Sequence, residues 1–73
     1  MTWIKIDRDE NGFATEECLD MMYKAIPFVV ATRIQHQFVY HLIKNERDFI
    51  VYKEIIYSGR DVTHYLPTPK LEV

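Results

Sequence analysis

Phe38-Val39-Tyr40-His41-Leu42-Ile43-Lys44-Asn45-Glu46-Arg47-Asp48-Phe49-Ile50-Val51-Tyr52-Lys53-Glu54-Ile55-Ile56-Tyr57 is the stretch on which the fold turns. Two readings compete for it. In the first, residues 38–43 and 49–57 are strands joined by a polar turn over 44–48. In the second, Ile34, Phe38, Leu42, Asn45, Phe49, Tyr52 and Ile56 form one stripe at helical spacing, three or four residues apart. The strand reading is preferred. Val, Ile, Phe and Tyr lose rotamer freedom in helices and suit a pleated surface, and the polar break has the length of a hairpin loop.

Working outward, Phe28-Val29-Val30-Ala31-Thr32 is a continuous β-branched and aromatic run, which predicts a strand. The polar residues 33–37 make its turn into residue 38. Upstream, residues 15–24 predict a helix. Thr15 can accept an N–H from the first turn, while Glu16 and Glu17 oppose the positive end of the dipole. Cys18, Met21, Met22 and Ala25 share a stripe, and Pro27 prevents continuation. Trp3-Ile4-Lys5-Ile6 alternates as a short strand and 7–12 is a polar loop. Downstream, 58–61 is a turn in which Gly59 can supply a positive φ, and 62–65 is a last strand. The predicted fold class is α+β: a small antiparallel sheet of about four strands with one short helix packed on one face. Leu19, Met22, Phe28, Val30, Phe38, Tyr40, Val51 and Ile55 are the expected core.

Length and composition narrow the function. Seventy-three residues make a single domain close to the lower limit for folding without staples. Apolar residues make up 48%, enough for a core but hard to bury fully in so short a chain, so a homo-oligomer, most simply a dimer through 49–57, is expected. One cysteine excludes an intrachain disulfide and fits a reducing cytoplasm. No leader is read at the start and the longest apolar run is far too short for a membrane helix, so a cytoplasmic protein without membrane contact is expected. The net charge is −2, unevenly spread: residues 1–20 carry six acidic and two basic side chains. An acidic chain argues against phosphate tracking, which leaves nucleic acid a disfavoured partner.

The two ends, read together, carry a resemblance. Trp3-Ile4-Lys5-Ile6-Asp7-Arg8 and Val62-Thr63-His64-Tyr65-Leu66-Pro67-Thr68-Pro69 resemble a family of small phage and prophage proteins classed only as a domain of unknown function. Its members open on Trp-Ile-x-Val and Asp-Arg-Leu-Pro and close on Val/Ile-Thr-His-Trp-x-Pro-x-Pro. Here Asp9-Glu10 replaces Leu-Pro, Tyr65 replaces Trp, and the helix over 15–24 resembles an insertion. The resemblance implies a β-rich fold and a mobile-element setting, and it supplies no catalytic residue.

No phosphate loop, nucleophile elbow or zincin motif occurs. His36, His41, His64 and Cys18 lack the tight pairing of a zinc site, and Cys18 reads as a packing thiol. No cofactor and no enzymatic activity are expected. The expected function is non-catalytic protein binding, with a host protein as partner. The candidate interaction residues are Tyr52, Lys53, Tyr57, His64 and Tyr65. The alternative is a nucleic-acid module using Tyr40, Tyr52 and Tyr57 with Lys44, Arg47 and Lys53. Pro67, Pro69 or Tyr65 is expected to fold back on Trp3.

Overall fold

The first helix forms as its sequence predicts. Thr15 caps it, its hydroxyl accepting from the Cys18 N–H at 3.2 Å, and Glu16 and Glu17 lie in the first turn. In the computed structural model, which describes residues 2–68, this helix is α1 (Glu16–Lys24). The strands are β1 (Ile4–Lys5), β2 (Phe28–Ile34), β3 (Gln37–Ile43) and β4 (Val62–Pro67). They form one antiparallel sheet in the order β1-β4-β2-β3. The α+β class and the four-stranded antiparallel sheet expected from the sequence are what the chain forms.

The helix count differs. Glu46–Ser58 is a second helix, α2, where a strand was expected over 49–57. The polar residues taken for a hairpin loop are its cap. Asn45 stands at the N-cap with extended backbone, and its side-chain oxygen accepts from the Asp48 N–H at 3.0 Å. Asp48 answers by accepting from the Lys44 N–H at 3.1 Å. The pair satisfies one donor that the first turn leaves open, at Asp48, and one just before the cap, at Lys44. The helical stripe was therefore half real: Phe49, Tyr52 and Ile56 follow it, whereas Phe38 and Leu42 belong to β3. A contact strand over 49–57 does not exist, because these residues belong to α2.

Between β2 and β3 the chain turns in two residues, Gln35 at φ 48° and His36 at φ 67°. Both lie in the left-handed region that two-residue hairpins demand, here without glycine. Gly59 has φ −80°, so no positive φ is needed there. Its missing Cβ matters instead, because a Cβ would run into the Ile55 carbonyl oxygen.

Both helices cover one face of the sheet. Leu19 and Met22 of α1 and Phe49 and Ile56 of α2 join Phe28, Val30, Ile43 and Tyr65 in a single core. The register explains one irregularity. Ala31 pairs with His64 but Thr32 with Val62, so Thr63 is an extra residue, a bulge. It lets Val62 and Tyr65, three apart, both point inward. Of the expected core residues, Leu19, Met22, Phe28 and Val30 are buried. Phe38 and Tyr40 lie on the helix-free face, and Val51 and Ile55 on the solvent side of α2. No described helix is long and apolar enough to cross a membrane.

Arg8 ties the ends together. One guanidinium nitrogen donates to Gly12 O at 3.0 Å and Tyr57 O at 3.4 Å. The other donates to Gly59 O at 2.6 Å and Val62 O at 2.8 Å. Burial pulls its pKa down from the ordinary value, with Cys18 opposing and Arg60 adding to the effect. Two stability measurements follow from these contacts. Asn45→Ala should lower the unfolding free energy by about 1 kcal/mol, the usual cost of losing an N-cap. Arg8→Lys should cost about 2–3 kcal/mol, because a point charge cannot replace a planar fork and leaves carbonyls unpaired. Urea denaturation followed by circular dichroism measures both.

Candidate functional site

Side chains of a strand alternate between faces, so the buried positions of each strand define what the other face carries. With Phe28 and Val30 inward, Val29, Ala31 and Arg33 of β2 point away from the helices. On β3, Ile43 is inward and Phe38, Tyr40 and Leu42 point outward. The registers line up Lys5, His64, Ala31 and Tyr40 in one row across all four strands. Among the described residues the helices cover only the opposite side, so this row sits on an open sheet face.

The open face is aromatic. Trp3 lies against Tyr40, ring centroids 5.6 Å apart and planes tilted by 35°. With Phe38 and His64 they surround a depression of about 250 Å³ whose floor is Ala31. Ala31 is only 4% exposed, whereas Tyr40 is 60% and Leu42 52% exposed. A small residue at the centre leaves room for the large rings around it. The His64 Nδ1 lies 2.9 Å from the Thr63 hydroxyl, so the bulge also orients the imidazole. The charged side chains of the strands on this face are Lys5 and Arg33, both basic.

The residues expected to form an interaction site do not come together. Tyr52 sits on α2 with its hydroxyl 3.1 Å from His41 Nδ1, bracing helix to strand. Lys53 lies beside Leu19 and Tyr23 at the junction of the helices. Tyr57 stacks on Phe13 at 5.1 Å near the end of α2. His64 alone of the five lies on the open face. Tyr65 is in the core, edge-on to Phe28 at 5.9 Å. The aromatic and basic set proposed for nucleic acid is split in the same way, Tyr40 on the open face and Tyr52 and Tyr57 on α2. Trp3 finds Tyr40, not Tyr65; Pro67 pairs with Phe28, and Pro69 lies outside the described residues. Sequence reasoning missed Phe38, Leu42 and Trp3 as surface residues. The period-two spacing of Phe38, Tyr40 and Leu42 was the signal that could have grouped them.

Among the described residues, no group of three His, Cys, Asp or Glu side chains could hold a metal ion. His36 is in the hairpin turn, His41 braces Tyr52 and Cys18 is buried in the core. At the junction of the helices, the neighbouring Glu46 carboxylate raises the pKa of the Tyr23 phenol, with desolvation adding. No family model, curated protein or solved structure matches the chain.

Burial raises the Tyr65 pKa above its ordinary value of 10.0, with the Cys18 charge adding. Below that value the phenol is neutral whether the chain is folded or not. Above it the unfolded chain releases the proton before the folded one does, so stability falls as pH rises toward the folded pKa. Thermal unfolding measured from pH 9 upward should show this alkaline loss, and Tyr65→Phe should flatten it.

Proposed function

We propose that this chain is a non-catalytic binding module whose helix-free sheet face receives a protein partner. The observation that carries the reading is the contiguous aromatic and aliphatic surface around Ala31, open on the side that no helix covers. An apolar surface of this kind, formed on a rigid sheet, is typical of recognition faces. The depression is smaller than the roughly 300–1,000 Å³ of small-molecule sites, which favours a broad partner over a substrate. Trp3 and Tyr40 on its walls are of the residue types that concentrate binding energy in interfaces. The resemblance of the chain ends to small phage and prophage proteins supports a mobile-element origin and a host protein as the partner.

A second reading has its own observation. Trp3, Phe38 and Tyr40 offer π-faces on a four-stranded antiparallel sheet, and Lys5 and Arg33 add positive charge there. Single-stranded nucleic acid is bound by such platforms. The apolar neighbours Leu42 and Leu66 and the net charge of −2 favour protein.

Trp3 is the single tryptophan, so its fluorescence reports on the face directly. Mixed with the partner isolated from host lysate, the protein should show a blue-shifted emission. Tyr40→Ala should weaken binding by roughly 10-fold or more while leaving the fold intact, as loss of a central aromatic anchor does. A salt-dependent quenching by oligothymidylate or oligouridylate at physiological ionic strength would select the nucleic-acid reading instead.

A further inference from the structure

We infer that two copies of this chain pair through the free edge of β3, antiparallel about an axis near Tyr40, with their α2 helices meeting beside it through Val51 and Ile55. The pairing runs along the sheet edge that borders the open face and does not rest on the function proposed for that face.

β3 is the outermost strand on its side of the sheet and, among the described residues, pairs only with β2. All seven of its residues, Gln37–Ile43, hold an unbroken register, so alternate backbone groups point outward along its whole length. Proteins that remain monomeric blunt such an edge with lysine, proline or a bulge. β3 contains none of these. The opposite edge strand, β1, is only two residues long, and one of them is Lys5.

The helix above continues the same apolar strip. Glu46, Ile50 and Lys53 of α2 lie beside α1 residues Leu19, Asp20 and Tyr23. At about 100° per residue, Val51 and Ile55 project from roughly the opposite flank, away from α1. Tyr52, next to them, reaches His41 of β3, which puts this flank on the β3 side. Val51 is 64% and Ile55 49% exposed. Sheet edge and helix flank therefore form two layers of one uncovered surface.

The strand edge itself carries nothing that would repel a second copy. A strand that meets itself across a two-fold axis sets like residues near like, and a charged edge would repel its copy. β3 carries no Asp, Glu, Lys or Arg. About an axis at Tyr40, Phe38 of one copy faces Leu42 of the other, an aromatic–aliphatic pair of the kind that stabilises sheets. The nearest charges are Lys44, just after the strand, and Asp48, which shares the α2 flank and accepts from the Lys44 N–H.

Light scattering from low to high micromolar concentration should give twice the 8.8 kDa chain mass. The double variant Val51→Lys with Ile55→Lys changes only exposed positions and should weaken the dimer by roughly 30-fold or more, with unchanged circular dichroism. Val39→Lys on the edge should do the same. Hydrogen exchange of β3 amides should slow as concentration rises. A chain that stays monomeric at high micromolar concentration overturns the inference. So does a dimer that survives both sets of lysines, or one lost only on Trp3→Lys, which would place the contact on the open face away from the β3 edge.

Discussion

One guanidinium holds the structure's three chain segments to each other. Arg8 leaves the end of the first strand and spends its donors on carbonyls at Gly12, at the end of α2 and at the start of β4. α2 has no basic residue in its own last turn, so the negative end of its dipole is met by a charge from fifty residues away in sequence. The surrounding backbone closes on the same point. Ala14 N–H donates to Tyr57 O at 3.0 Å and Ile6 N–H to Thr63 O at 2.9 Å. The two-residue strand β1 is too short to stay on the sheet by its ladder alone; Arg8 anchors its end to α2 and β4.

Much of this order is legible in the residues that make it. Thr15 before Glu16 and Glu17 marks α1, Pro27 marks its limit, and the β-branched run from Phe28 marks β2. The second helix was hidden because its capping residues have the composition of a loop. Asn45 and Asp48 belong equally to turns and to helix starts, and only the hydrogen bonds between them and the backbone separate the two. Aromatic and β-branched content misled in the same region: Phe49, Tyr52 and Ile56 pay for their poor helix propensity with tertiary burial.

The candidate face was less legible than the fold, for a physical reason. A strand apolar on both sides does not reveal which side meets the core. In β3 the inward positions include Ile43 and His41, and the outward ones are Phe38, Tyr40 and Leu42. Residue types alone favour the aromatic set for the interior. The choice is made by α2, whose Tyr52 accepts or donates to His41 and fixes that side as the covered one. The bulge at Thr63 has the same character, since nothing in Val62-Thr63-His64-Tyr65 announces an extra residue.

β4 lies between β1 and β2, yet it is synthesised after every other strand of its sheet. Until it arrives, β1 has no neighbour at all, and β2 has only the hairpin partner β3. The hairpin and α1 can form locally as the chain emerges, but Phe28 must wait for Tyr65 and Ile6 for Thr63. Pairings this distant in sequence are slow to close and leave apolar surface uncovered meanwhile. Assembly of this small domain is thus gated by its own C-terminal strand. A nascent chain halted before Val62 would be a sticky hairpin with two loose helices, a natural client for chaperones and proteases.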